Sequence, residues 1–144
     1  MTIDEHIAFA MLLLASPLAM ADTHEVLMFS KGATGEMVYE PDFLAIAPGD
    51  SVRFVTDHGK HDSATIPGLI PEGAESFKGE INENIAVTFD VPGVYGIQCT
   101  PHLTKGMVML VQVGEGQTAP ELPAGLPEMA AHRLDAIFER EFDK

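Results

Sequence analysis

Cys99 is the single cysteine of the chain, and it opens the stretch Cys99-Thr100-Pro101-His102-Leu103-Thr104-Lys105-Gly106-Met107, in which a thiol, an imidazole and a thioether fall within nine residues. Soft sulfur suits a metal ion in its one-plus state, imidazole suits it in both one-plus and two-plus states, and a long, weak thioether bond favours neither. The set therefore fits copper that changes oxidation state. One short loop supplies three donors, and a second imidazole has to come from elsewhere. The candidates are His58 and His61, about forty residues upstream, and the residue types alone leave both open. The fold must bring these two distant segments together.

The surrounding chain has the punctuation of a β protein. Strand-sized apolar stretches run Val26 to Phe29, Met37 to Tyr39, Phe43 to Ala47, Val52 to Val55, Ile85 to Phe89, Tyr95 to Cys99 and Met107 to Val113. The separators Lys31-Gly32, Gly35, Pro48-Gly49-Asp50, Asp57 to Lys60, Pro71-Glu72-Gly73 and Pro92-Gly93 all carry turn chemistry. Ile85, Val87 and Phe89 alternate with Ala86, Thr88 and Asp90, the period of a strand with one buried face. Many short strands at regular spacing predict an all-β sandwich or barrel. After Pro120, Pro123 and Pro127 the period changes. Leu126, Ala130, Leu134, Ile137, Phe138 and Phe142 follow a helical stripe, with Pro127 suited to a first helical turn, so an amphipathic helix laid against the sandwich is expected. No internal repeat or low-complexity segment is visible.

Ile7 to Leu18 is an almost unbroken apolar run ending in Ala19-Met20-Ala21, which reads as an export leader over residues 1–21, although Asp4 and Glu5 stand where such leaders are normally basic. The run is short for a membrane span, which needs ~20 apolar residues. Export gives the lone cysteine a meaning. In an oxidising compartment thiols pair, one cysteine cannot pair within its own chain, and bound metal is one way to protect it. The net charge is −14, and −12 from Asp22 onward, because the leader holds two acids and no basic residue. Such a chain is not expected to bind nucleic acid, and its acidity bears on solubility and steering rather than on fold. The C-terminal helix has few basic residues among its acids, so no membrane role is expected of it.

Four blocks make a resemblance specific: Lys31-Gly32-Ala33-Thr34-Gly35-Glu36-Met37-Val38-Tyr39-Glu40-Pro41; Ala47-Pro48-Gly49-Asp50 running into Val52-Arg53-Phe54; Ile70-Pro71-Glu72-Gly73-Ala74-Glu75-Ser76-Phe77-Lys78; and Cys99-Thr100-Pro101-His102 with Gly106-Met107. Over essentially the whole mature chain these resemble the pseudoazurins, a subfamily of the cupredoxin blue-copper proteins. The Cys-x2-His-x4-Met loop alone is similar to plastocyanins as well; the Ile-Pro-Glu-Gly-Ala block and the helical tail point to pseudoazurins. The resemblance implies a Greek-key β-sandwich with a C-terminal helical extension. The cupredoxin domain would span 22–144, with the sandwich to about 114 and the helical tail over about 119–143. It also implies one type 1 copper held by His61, Cys99, His102 and Met107. In the family the upstream ligand lies seven residues after the strand phenylalanine and nine before the isoleucine of Ile-Pro-Glu-Gly, and Phe54 and Ile70 place it at His61 rather than His58. His24 and His132 are then expected to be exposed and unremarkable.

The function implied is that of a periplasmic single-electron carrier, not an enzyme, donating to a denitrification reductase such as copper nitrite reductase. Docking would be transient, through an apolar patch around His102, for which Met37, Pro101, Leu103 and Pro71 are candidates. Lys31, Lys60, Lys78 and Lys105 would ring it, and a monomer is the expected state for a shuttle. Two residues depart from the family pattern. Asp62 follows the upstream ligand where the family usually has an asparagine that helps tie the ligand loops, and Gly59-Lys60 stands where lysine tends to precede glycine. The rival reading is a periplasmic copper-binding or delivery protein. Delivery proteins tend to have open, Met- or Cys-rich sites, however, and a copper enzyme would need an open position or a second copper for which too few histidines remain.

Overall fold

The computed structural model describes residues 20–142; the proposed leader, apart from Met20 and Ala21, lies outside them. Among the described residues eight strands form two four-stranded sheets. The first contains β1 (Thr23–Lys31), β2 (Glu36–Glu40), β4 (Ser51–Thr56) and β6 (Ile85–Thr88), in the order β2-β1-β4-β6. The second contains β3 (Phe43–Ile46), β5 (Ala64–Thr65), β7 (Gly93–Gln98) and β8 (Val108–Val113), in the order β3-β8-β7-β5. β1 runs parallel to β4, with Val26 opposite Phe54, and β3 runs parallel to β8; the remaining pairings are antiparallel. This is the all-β sandwich expected from the sequence.

The two sheets bury a common core of Val26, Met28, Tyr39, Phe54, Ile97, Met109 and Val111. Alternate residues of each strand point into it, as the period of a half-buried strand requires. Aromatic rings run through one side in edge-on contact: Phe77 on Phe89 and Phe89 on Tyr95, with ring centroids 6.0 and 5.0 Å apart. β8 is different, because Val108 to Val111 are buried on both faces. Its second face is covered by α1 (Glu128–Glu141), whose Ala130, Leu134, Ile137 and Phe138 pack on Val94, Val108 and Leu110. A strand covered on both sides reads as a continuous apolar run, and Met107 to Val111 is one.

The helix begins at Glu128, later than the 119 expected for the tail, and Pro127 is its N-cap rather than a residue of the first turn. The three prolines of 120–127 hold the preceding segment out of helical geometry. β5 has two residues and was not anticipated, because so short a strand has no period to read. Gln98 faces Val108 on one side and Ala64 on the other. The exits of β7 and β4 and the entries of β5 and β8 therefore gather at one end of the sandwich.

Candidate metal centre

β7 delivers Cys99 into the core at that end, fully buried. The chain leaves the strand extended and turns into a 3-10 helix, Thr100–Lys105, with Pro101 in its first turn, where a missing N–H costs nothing and the fixed φ helps. The helix stops at Gly106, whose φ of +79° is left-handed. A side chain there would also meet α1, since a Cβ would lie 2.9 Å from the Met129 carbonyl oxygen. The loop is closed by its own backbone: the Cys99 N–H donates to the Met107 carbonyl (3.0 Å), Met107 to His102 (3.2 Å) and His102 to Cys99 (3.2 Å).

The other half of the site follows β4. Asn82 Oδ1 accepts from the N–H groups of Lys60 (2.8 Å) and His61 (3.3 Å), and the Asn82 N–H donates to the His61 carbonyl (2.7 Å). Next along the chain, Asp62 is fully buried and its carboxylate accepts from both the N–H and the hydroxyl of Thr100, the backbone bond measuring 2.6 Å. The buried Tyr39 hydroxyl donates to the Asp62 carbonyl at 2.8 Å. The tie between the loops that the family makes with asparagine is thus made here by a carboxylate acting only as acceptor.

These supports bring His61, Cys99 and His102 together. His61 Nδ1 lies 3.2 Å from His102 Nδ1 and 3.8 Å from Cys99 Sγ, and His102 Nδ1 lies 3.4 Å from the same sulfur. A triangle with those sides has its centre about 2.0 Å from every corner, close to the bond lengths of about 2.0 Å for imidazole nitrogen and 2.3 Å for thiolate known from zinc. The donors therefore surround a space that fits one metal ion. Two nitrogens and a thiolate in a trigonal array, with a methionine as candidate axial group, is the donor chemistry of a copper electron-transfer site. Met107 is fully buried in the same apolar cluster as Cys99.

The model of the copper-binding protein family of plastocyanin and azurin matches residues 26–114. A pseudoazurin of Paracoccus pantotrophus is 47% identical over 134 residues, covering 90% of each chain. The crystal structure of the Methylobacterium extorquens AM1 pseudoazurin superposes with a TM-score of 0.76 at 35% identity, covering 83% of this chain and 98% of that one. That of Hyphomicrobium denitrificans pseudoazurin gives 0.70 at 30% identity, over 82% and 97%. The chain belongs to the pseudoazurin family. It is a copper-binding electron carrier and not an enzyme.

Within this pseudoazurin fold the proton affinities of Cys99 and His61 are both shifted by burial. Burial pushes the Cys99 thiol up to about 11, so at neutral pH a metal must displace its proton. Burial lowers the affinity of His61 for a proton, Asp57 opposes this and His102 reinforces it; the net shift is downward, which leaves the ring neutral at pH 7 with a lone pair to donate. On its far side, His61 Nε2 lies 3.0 Å from both Asp57 Oδ1 and Ser30 Oγ.

Of the remaining histidines, His58 is exposed, in a left-handed conformation with φ +66°. His132 is exposed on α1, as expected. His24 is not unremarkable: it is half-buried, with Nε2 3.0 Å from Asp50 Oδ2. Pro71 is misplaced as a patch residue, because it packs on Gly93 at the opposite end of β7 from Cys99. The stretch after β5 runs back along that strand, with the Gly96 N–H bonded to the Leu69 carbonyl, and carries Pro71 away from the site. Ser30, Asp57, Asn82 and Arg133 were not singled out in the sequence. Each acts through a contact across at least one turn, and no local pattern marks it.

Proposed function

We propose that this pseudoazurin is a periplasmic single-electron shuttle, with a leader over 1–21 and a working domain over 22–144. Its copper would be held by His61, Cys99, His102 and Met107, and its electrons passed to a denitrification reductase such as copper nitrite reductase. The observation that carries the reading is the triangle of donors, assembled and buried by the protein's own hydrogen bonds. Bound copper supplies the one-electron couple. The chain's contribution is to hold its donors in one geometry for both oxidation states, which keeps the reorganisation accompanying each transfer small.

His61, Cys99 and Met107 are fully buried, while His102 is half-buried, so His102 is the donor through which electrons reach the surface. Pro101 is exposed beside it, and Leu103 and Met37 are half-buried nearby, forming a small apolar rim suited to brief docking. Lys31, Lys60, Lys78 and Lys105 are all exposed. Lys60 adjoins His61, Lys31 adjoins Ser30, Lys105 ends the ligand-loop helix, and Lys78 bridges to Ala64. They give a locally basic face to an acidic body, and the protein docks as a monomer.

Loading the protein with copper(II) and recording visible and electron paramagnetic resonance spectra tests the site. An intense blue colour that bleaches with a mild reductant and returns on reoxidation is expected; a pale protein would refute the ligand set. Stopped-flow oxidation of the reduced protein by copper nitrite reductase tests the partner. The association rate is expected to fall steeply with salt as charge steering is screened, and a salt-independent rate would remove the lysine face from the account.

A further inference from the structure

The far side of His61 is built with more care than a ligand needs merely to be buried. Asp57 is the first residue after β4, and its carboxylate is fixed by two backbone donors, Ser30 N–H to Oδ2 at 2.9 Å and Gly59 N–H to Oδ1 at 2.8 Å. The chain then makes a three-residue turn back to His61 in which His58 and Lys60 both adopt left-handed φ values, +66° and +65°. Such conformations are unfavourable for residues with a Cβ and persist where surrounding bonds over-determine them. Here the His58 N–H is held by Thr56 Oγ1 (3.0 Å) and the Lys60 N–H by Asn82 Oδ1 (2.8 Å). The outcome of this strained turn is that Asp57 Oδ1 comes within 3.0 Å of His61 Nε2, with Ser30 Oγ at the same distance. Between the two chain ends, Gly59 leaves the space open. A Cβ on it would fall 2.2 Å from Ser30 Oγ and 2.8 Å from both Asp57 Oδ1 and His61 Nε2.

We propose that Asp57, steadied by Ser30 and by the space left at Gly59, is the positioning residue of His61: it takes the Nε2–H bond, fixes the tautomer that points the Nδ1 lone pair at Cys99 and His102, and biases the couple toward copper(II). This rests on His61 being a copper ligand. A carboxylate accepting the outer N–H of a ligating imidazole orients the ring and makes it a stronger donor, and losing such a partner typically costs 10–100-fold in metal affinity. A stronger nitrogen donor favours the two-plus ion over the one-plus ion. Asp57 is a third exposed on its side chain (29%), so the low end of that range applies. The Asp57→Asn variant should remain blue, with its copper(II) affinity reduced about tenfold relative to copper(I). That corresponds to a midpoint potential about 59 mV higher for a one-electron couple.

Two variants separate the hydrogen bond from simple charge. Asp57→Asn removes the charge and keeps an acceptor oxygen. Gly59→Ala keeps every charge and wedges the cluster apart. Both should raise the potential, measured by voltammetry on the copper-loaded protein. A rise in Asp57→Asn alone would show a through-space charge and overturn the positioning role, as would no change in either. Nitrogen-15 NMR of the His61 ring in the metal-free wild type gives a reading that needs no copper. An Nε2–H tautomer with a downfield, slowly exchanging proton is expected, and an Nδ1–H tautomer would overturn the proposal. A wild type that binds copper without blue colour refutes the ligand set itself; a blue wild type with unshifted variants refutes only Asp57.

Discussion

Replacing Arg133 with methionine should loosen the C-terminal helix and the ligand loop together. Arg133 is half-buried on α1, and its guanidinium donates to three main-chain carbonyls: Met37 (2.6 Å), Gly106 (2.8 Å) and Glu36 (2.9 Å). Two of these belong to residues in left-handed conformations, Met37 at φ +50° and Gly106 at +79°, and Gly106 immediately precedes Met107. One planar fork therefore joins the helix, the start of β2 and the end of the ligand loop, which a lysine could not do with the same geometry. Methionine keeps most of the apolar stem and deletes only the donors. Hydrogen bonds to charged groups contribute about 1.5–3 kcal/mol each when sheltered. The two part-buried bonds at the low end of that range, with nothing counted for the exposed one, give a loss of about 3 kcal/mol. For a domain of this size that corresponds to a fall in Tm of about 10 °C. Equilibrium unfolding in guanidinium, on metal-free and copper-loaded protein at fixed metal concentration, measures it; the same loss in both states is expected if the clamp acts on the fold. Arg140 supplies the control. Its pair with Asp42 is exposed (51% and 41% of the side chains), so Arg140→Met should cost under about 1 kcal/mol, and that cost should shrink with salt. If Arg133→Met lost no more than about 0.5 kcal/mol, the usual scatter of surface changes, the clamp would be decorative and the reasoning refuted.

Three further outcomes are expected. Asp62→Asn keeps both bonds to Thr100, because the amide oxygen accepts the N–H and the hydroxyl can turn to accept from the amide nitrogen, yet it removes a buried charge beside the donors. Its midpoint potential should rise by at least about 50 mV, equivalent to about 1 kcal/mol, and an unchanged voltammogram would contradict this. The Asp50 carboxyl is held below its ordinary value, first by the His24 bond and then by the Asp22 N–H, so its contribution to stability is present above the unfolded carboxylate pKa of about 3.9 and lost as pH falls through the folded value. Asp50→Asn should therefore unfold at lower urea than wild type at pH 7, and the gap should narrow as pH falls below about 4; a gap that does not narrow in acid would assign the loss to geometry instead. Because burial holds Cys99 as a thiol near pKa 11, binding of zinc or copper(II) at pH 7 should release one proton per metal from that residue, and calorimetry in buffers of different ionisation enthalpy counts it.

The residues of the proposed site that share one loop were legible because a 3-10 turn needs few residues: the spacing of Cys99, His102 and Met107 brings all three to one end of the sandwich. His61 was not legible in that sense. Nothing local separates it from His58, and the choice came from family spacing around Phe54 and Ile70. The structure supplies the physical difference: His61 follows a turn pinned by Asn82 and lies buried against Cys99, while His58 is the turn's exposed apex. The apolar stretches were read to within a residue or two of the strands, except that β1 begins three residues before Val26, at the polar Thr23 and His24. The helix start was read early, since the apolar spacing begins at Leu126 although the prolines of 120–127 forbid the helix there, and Leu122 lies further back in the same segment. Those leucines still pack on the α1 cluster, which is why the pattern looked helical before the backbone was.

Invisible at the level of sequence were the groups that aim the donors. Ser30, Asp57, Thr100 and Arg133 have ordinary strand, turn and helix chemistry, and their roles exist only once β1, β4, β7 and α1 are packed. Asp57 and Asp62 make the point together. Both are carboxylates near His61, four residues before it and one after, and by sequence only Asp62 attracted notice, because it departs from a family pattern. In the folded chain they do different work. Asp62 bonds to Thr100 and so joins the ligand loops to each other, with its charge a by-product of the tie. Asp57 lies against the ring of His61 itself, so on the proposed ligand set its charge would act through that imidazole. Neutralising either should raise the potential, but only at Asp57 should a wedge that preserves every charge do the same. A single sequence position records the presence of a carboxylate, and the hydrogen-bond partner determines whether it acts as a strut or as part of the ligand.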